Sequence, residues 1–176
     1  TPAGVPIILG LGRLHNNKGF DVLLESMTLL PGFWLWLAGD GPERGSLQAQ
    51  AKRLGVDDRV KFIGWHNDVA PLFSAVDMLV CPSRSEPLGN VILEAWAQCV
   101  PVVAASAQGL QQLIVDGVDG LIAPVNDSRA LAVAIQESNG TRSRSLAEAG
   151  WERYRKSYSE ATVVSQYLDF FRTLIG

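Results

Sequence analysis

Short apolar runs alternate with longer amphipathic runs along almost the whole chain, and few folds other than helices packed on a parallel sheet accept that alternation. Six runs read as strands: "VPIILGL", "FWLWLAG", "VKFIGW", "DMLVCP", "VPVVAAS" and "GLIAP". The second is apolar on both faces, as a strand covered by helices on either side should be. Between the strands, "KGFDVLLESMTLL" places Phe20, Leu23, Leu24, Met27 and Leu30 at helical spacing, and Pro31-Gly32 stops it. Further helices are predicted over "PERGSLQAQAKRLG", ended by Gly55, over "NDVAPLFSAV", and after "SEPLG" through about Gln98. "GLQQLIVDG" reads as a helix with Gly117 just past its end, and "DSRALAVAIQES" as one capped by Asp127. Two more, "SRSLAEAGWERYRKSYS" and "EATVVSQYLDFFRTLI", close the chain. Six strands and about seven helices in this order predict an α/β fold, a doubly wound parallel sheet in a single domain over residues 1–176. Any ligand is expected outside the carboxyl ends of the strands. The final helix carries Val163, Val164, Tyr167, Leu168, Phe170, Phe171 and Leu174, too broad an apolar surface for a free end; it is expected to pack on this sheet or on a neighbour.

Composition narrows the function classes. With 176 residues, 47% of them hydrophobic, the chain can bury a sizeable core. A net charge of −3 with no long run of Lys or Arg argues against a nucleic-acid partner, which needs clustered cations. Two cysteines, Cys81 and Cys99, make no disulfide framework and lack zinc-site spacing, so both are expected as reduced core residues of a cytoplasmic protein. No apolar run reaches the length of a membrane span, and the N-terminus lacks the pattern of a signal peptide. The chain begins with Thr, which suggests a piece of something longer.

The chemistry concentrates in two loops. "GLGRLHNNKG" after the first strand falls short of a dinucleotide fingerprint, because His15 stands where a third Gly is needed. It does place Arg13 and Lys18 around a strand-to-helix turn whose backbone N–H groups favour anions, suiting a diphosphate; solvated loop charges are the equal alternative. The turn Gly39-Asp40-Gly41-Pro42 has an equally good structural explanation, Asp and Gly making the turn and Pro42 opening the next helix. In "SEPLGNVILEAW", Glu94 near a helix beginning is explicable by the helix dipole, at about 0.3–1 kcal/mol. Glu86 has no such explanation. It ends the fourth strand beside a Pro-Leu-Gly turn, where a carboxylate suits sugar hydroxyls. His15 and His66 read as solvated, Trp34, Trp36 and Trp96 as core, and Asp57, Asp58 and Arg59 as a solvated cluster. Trp151, Arg153, Tyr154, Arg155, Lys156 and Tyr158 form a basic-aromatic patch, read as an ordinary helix face ahead of a domain contact or an anionic membrane surface.

Taken together, "GLGRLHNNKGFDVLL", "LAGDGP", "VKFIGW", "PSRSEPLGNVILEAWA" and "PVVAASAQGLQQLIVDGVDGLIAP" resemble the C-terminal, nucleotide-sugar-binding half of GT-B fold glycosyltransferases of group 1 (family 4), from about Val5 to about Ser138. The resemblance implies a Rossmann-like donor-binding domain in which Arg13 and Lys18 hold the donor diphosphate and stabilise charge on the leaving nucleotide. It implies that Glu86 accepts hydroxyls of the donor sugar, that Glu94 accepts those of the ribose, and that the backbone of Leu88, Gly89 and Asn90 contacts sugar and phosphate. Gly12 and Val91 join this donor set, and the base rests near Ile63, Gly64 and Trp65. The family transfers with retention and without a catalytic metal or other cofactor; no Asp-x-Asp pair occurs in this chain. Departures are Leu88 for a usual Phe, Cys99 for a small Gly, and Gln112 for a Glu in the "GG-x-x-E" segment. The family's acceptor-binding N-terminal domain is missing, so this chain alone is expected to bind donor and transfer little. In the full-length protein the expected partners are a nucleotide sugar and an acceptor, with a membrane-associated acceptor at the inner face of a membrane as one option. Competing readings are a GT-B epimerase or phosphorylase, for which neither an acid-base pair nor a cofactor lysine stands out, and a non-catalytic nucleotide-sugar module.

Overall fold

A computed structural model describes residues 1–175. Six strands, β1 (Ile7–Leu11), β2 (Trp34–Ala38), β3 (Val60–Gly64), β4 (Met78–Cys81), β5 (Val102–Ala105) and β6 (Leu121–Ala123), form one sheet in the order β3-β2-β1-β4-β5-β6. Every pairing is parallel. The order reverses between β1 and β4, so the connections on either side of that seam wind in opposite directions and the sheet is doubly wound. Pro6 sits just outside β1, where its carbonyl still accepts a bond from Trp34 N at 3.0 Å.

Side-chain alternation along the strands feeds two cores. Ile8, Met78, Val80 and Val103 face one side, with α1 (Phe20–Ser26), α2 (Arg44–Leu54) and α6 (Ser128–Ser138). Leu9, Leu79, Cys81, Val102 and Ala104 face the other, with α3 (Ala70–Phe73), α4 (Asn90–Ala97) and α5 (Gln108–Leu113). β4 and β5 are buried at every position, which is why they read as unbroken apolar runs. The chain finishes with α7 (Ser143–Ser157), packed on α4, and α8 (Glu160–Ile175), packed on α7. The eight α-helices of the described residues exceed the expected seven or so, yet each falls on a stretch whose apolar spacing already marked it. Asp127 caps α6 as expected, its carboxylate accepting from Arg129 N and Ala130 N. Among the described residues, no helix is long and apolar enough to cross a membrane.

Several expectations need correction. Trp96 is fully buried, its Nε1 donating to Asp119 O at 3.0 Å, but Trp34 and Trp36 are only partly covered, because α3 on that side of the sheet is a single turn. Lys61 lies over the Trp34 ring and Thr1 accepts from Trp36 Nε1. The basic-aromatic patch divides: Arg153 lies over the Trp96 ring and bonds Asp119 at 2.8 Å, and Tyr154 and Tyr158 pack into the second core, leaving Arg155 over Trp151 outside. α5 stops at Leu113, and Gly117 closes a later turn with Gly120 instead of capping the helix. Of the two partners expected for α8, the sheet is not one: the helix packs on α7 and leaves Tyr167, Phe170, Phe171 and Leu174 exposed.

Cys99 is also not a core residue. It is exposed and left-handed, at φ 55°. After α4 ends, Val100 N bonds Ala95 O and Cys99 N bonds Trp96 O, each at 3.0 Å, which is the helix-closing motif whose turning residue is usually Gly. A side chain there carries the left-handed penalty of roughly 1–2 kcal/mol, partly offset by the greater unfolded-state freedom of Gly. Cys99→Gly should therefore raise stability by about 0.5–1 kcal/mol in a denaturant titration; a loss of stability would show that the thiol makes compensating contacts.

Candidate functional site

Three loops leave the carboxyl ends of the strands around the β1/β4 seam, and their backbones pack directly on one another. After β1, His15 caps a 3-10 turn at Asn16–Lys18 by accepting from Asn17 N through Nδ1, at 3.2 Å. Its role is structural. Gly19 then starts α1 in the left-handed region, at φ 65°, and a Cβ at that position would lie 2.1 Å from Pro82 O. The loop after β1 can thus lie against the chain leaving β4 only because residue 19 has no side chain. On its other flank, Gly39, at φ 130°, would place a Cβ 2.0 Å from Gly12 O. The Gly39-to-Pro42 turn is accordingly also a seat for the β1 loop.

This packing brings together groups far apart in sequence. Lys18 Nζ bonds Glu86 Oε2 at 2.5 Å, and both side chains are largely buried. Ser83 Oγ stands 3.4 Å from the same carboxylate oxygen. The pair forms one wall of a cleft of about 430 Å³, whose lining also includes Gly12, Gly39, Trp65, His66, Asn67, Asn90, Val91 and Glu94. Of the residues singled out from sequence, Gly12, Lys18, Glu86, Asn90, Val91 and Glu94 converge there. The other four stand differently. Arg13 is exposed beside Gly12 and does not line the cleft; Gly64 lies beneath the wall, its carbonyl accepting from Gly39 N at 2.7 Å. Leu88 points outward, 71% exposed, and Gly89 is the buried cap residue of α4.

Glu94 differs from the expectation in an informative way. It lies beyond the first turn of α4, so the helix dipole does not explain it. Burial against the surrounding walls pushes its carboxyl above the ordinary value, and no protein cation is hydrogen-bonded or ion-paired to it among the described residues. It also lines an adjoining hollow of about 440 Å³ with Asp68, Phe73, Leu93 and Tyr154, and so marks the ridge between two cavities. Sequence reasoning placed Trp65 near the base and read His66 as solvated, whereas both line the cleft; Asn67 it did not single out. Trp65 is 71% exposed with Nε1 donating to Asn67 Oδ1 at 3.0 Å, and His66 Nε2 is 3.2 Å from Ile63 O. The signal available was their position just past β3, at the ligand-binding end of the sheet. Among the described residues, no three His, Cys, Asp or Glu converge as metal ligands.

The family described as glycosyl transferases group 1 matches residues 5–138 of this chain. The chain belongs to the group 1 glycosyltransferases. The lipopolysaccharide core biosynthesis glycosyltransferase LpsE of Rhizobium meliloti is 44% identical over 171 residues, covering 96% of this chain and 50% of that protein. The D-inositol 3-phosphate glycosyltransferase of Mycobacterium tuberculosis is 32% identical, covering 99% of this chain and 38% of that protein. Among solved structures, Anabaena Alr3699/HepE in complex with UDP and glucose matches with a TM-score of 0.90 at 28% identity, over 97% of this chain and 49% of that one. This group 1 chain spans about half the length of the curated relatives LpsE and LpsD that it matches. Its parallel six-stranded sheet with helices on both sides is shared with GT-B glycosyltransferases.

The raised Glu94 carboxyl has a testable sign. Because its folded value lies above the unfolded one, near 4.5, its contribution to stability is fully present below about pH 4.5 and is lost as pH rises through the folded value. Glu94→Gln should therefore melt at a higher temperature than the unaltered chain at pH 7, with the difference closing toward pH 4.5. A melting temperature lowered at neutral pH would mean that the carboxylate has a structural partner.

Proposed function

We propose that this chain binds a nucleoside-diphosphate sugar and that, within a longer protein, it transfers the glycosyl group of that donor to an acceptor. The observation that carries the reading is the Lys18–Glu86 pair facing Glu94 across one cleft at the β1/β4 seam. Anabaena Alr3699/HepE, matched with TM-scores of 0.90 and 0.89, has been solved in complex with UDP and glucose and with UDP-glucose, which supports a nucleotide-sugar donor for this chain. LpsE and LpsD, at 44% and 37% identity, are named for lipopolysaccharide core biosynthesis, which favours an acceptor of that saccharide class.

In this reading Lys18 exchanges partners. In the free site its ammonium neutralises Glu86; a bound diphosphate draws Lys18 to a phosphate oxygen and leaves Glu86 to accept hydroxyls of the sugar. Arg13 reaches the diphosphate from the exposed rim and adds the second positive charge that two phosphates require. The N-terminus of α4, with Asn90 and Val91 on the cleft wall, contributes its dipole to the same anion. As the glycosidic bond to the diphosphate breaks, negative charge grows on the leaving nucleotide, and Lys18, Arg13 and that dipole stabilise it. Glu94 accepts the ribose hydroxyls, and the base lies beside Trp65 past β3. Transfer proceeds with retention through an oxocarbenium-like state without a catalytic metal, and the acceptor is held by a part of the protein outside this chain, so the isolated chain binds donor and transfers little.

The donor is identified by thermal shift against UDP, GDP and ADP and their sugars, since a ligand at a hundred times its Kd adds about 2.7 kcal/mol to stability. With the nucleotide known, Lys18→Ala or Arg13→Ala should weaken the nucleoside diphosphate by roughly 1.5–3 kcal/mol in calorimetry. Unchanged affinity at both positions would end the diphosphate assignment. Glu86→Gln separates the two halves of the argument: it frees Lys18, so the plain diphosphate binds more tightly while the sugar nucleotide binds less tightly. Equal losses for both ligands would refute Glu86 as the sugar contact.

A further inference from the structure

Two residues before Glu86, a second ion pair joins the same two loops. Arg84 donates through Nη1 to Asp21 Oδ1 at 2.8 Å and through Nη2 to Asp21 Oδ2 at 2.5 Å, a bidentate fork onto the first turn of α1. Nη1 also reaches Asn16 O at 2.6 Å, and the Arg84 backbone N donates to Asn17 O at 2.8 Å, so the bonds flank Lys18 on both sides. Nε donates to Asn126 Oδ1 at 2.7 Å, in the loop after β6, where Asn126 holds a left-handed conformation at φ 63°. One guanidinium thus ties three loops at the ligand-binding end of the sheet.

The two ion pairs have opposite polarity. In one the cation belongs to the β4 loop and the anion follows β1; in the other the cation follows β1 and the anion belongs to the β4 loop. Sliding one loop along the other by one pair would set Arg84 against Lys18 in one direction, or Glu86 against Asp21 in the other, like charge on like, so the crossed arrangement penalises both neighbouring registers. The two cations are not equivalent. A guanidinium fork on a carboxylate is held by geometry at several points, whereas an ammonium is a point charge that exchanges partners readily. Burial alone would raise the Asp21 carboxyl, yet the hydrogen bonds and charge of Arg84 outweigh it and hold it below the usual range.

We propose that Arg84 is the positioning residue that keeps the Lys18 and Glu86 loops in register while a bound donor separates the Lys18–Glu86 pair. The inference rests on the donor-site reading above: when Lys18 turns to the diphosphate, the Arg84–Asp21 fork and the Asn16, Asn17 and Asn126 bonds are what still hold Glu86 opposite it. Arg84 touches no ligand in this account and acts through the placement of Glu86.

The test uses the whole chain with Arg84→Lys, Asn126→Gly, Asp21→Asn and the Asp21→Asn/Arg84→Lys double variant. UDP-glucose, GDP-mannose and ADP-glucose are offered to the unaltered chain, and the one it binds is carried forward with its nucleoside monophosphate, which meets the Glu94 end of the cleft. Arg84→Lys keeps the charge and loses the fork; Asn126→Gly removes one bond to Arg84 at a position whose backbone suits glycine. The expected result is at least a tenfold loss of sugar-nucleotide affinity for Arg84→Lys and a smaller loss in the same direction for Asn126→Gly. The monophosphate should change less than twofold for both. Asp21→Asn combined with Arg84→Lys should be no worse than the poorer single variant, because the pair acts as a unit. Sugar-nucleotide affinity kept within twofold, or an equal loss for the monophosphate, would make Arg84 a general structural tie and overturn the inference. Failure of the unaltered chain to bind any of the three would instead overturn the donor-site reading, and this inference with it.

Discussion

Covering both faces of a parallel sheet leaves its strand ends as the place where polar chemistry can gather, and the rest of this structure follows from that constraint. The strands at the seam, β1 and β4, are buried by helices on either side, so Lys18, Glu86 and Glu94 can meet a ligand only at the carboxyl edge. Winding reverses between β1 and β4, which opens a crevice there instead of a closed row of turns. What keeps that crevice polar and narrow is bare backbone: the loops after β1, β2 and β4 touch through Gly12, Gly39, Gly19 and Pro82 with no side chain between them.

The charge arrangement gives the cleft an internal counter-ion. A lone ammonium and a lone carboxylate at this depth would each bear a desolvation cost; paired at 2.5 Å they offset one another until something better arrives. Glu94 lacks that relief among the described residues, and burial raises its carboxyl; in the proposed donor complex the ribose hydroxyls would be its partners. One wall of the cleft is satisfied at rest and the other is not.

Legibility in the sequence varied with the range of the forces involved. The elements could be read because burial on two faces writes itself into unbroken apolar strands such as "MLVC" and into Leu and Phe at helical spacing. The convergence of Lys18 with Glu86 followed from topology, since both leave strand ends at the seam. Features set by the backbone at one residue were not legible. Cys99 looked like a small core residue because its composition was visible and its left-handed turn was not. Trp34 and Trp36 looked buried because the single-turn length of α3, which leaves them partly open, is decided by packing over the sheet. Arg84 showed no signal, since its partners Asn16 and Asp21 follow β1 and Asn126 follows β6, segments that only the fold brings to the β4 loop.

The seam also sets a timetable for assembly. β1 registers with β2 within a few dozen residues, but its other neighbour is β4, and the bond from Lys18 to Glu86 spans 68 positions of sequence. On a nascent chain the β4 side of β1 has no native partner until β4 has emerged, and until then it presents unpaired backbone hydrogen-bonding groups. That open edge is a template on which a strand of its own or another chain can pair wrongly.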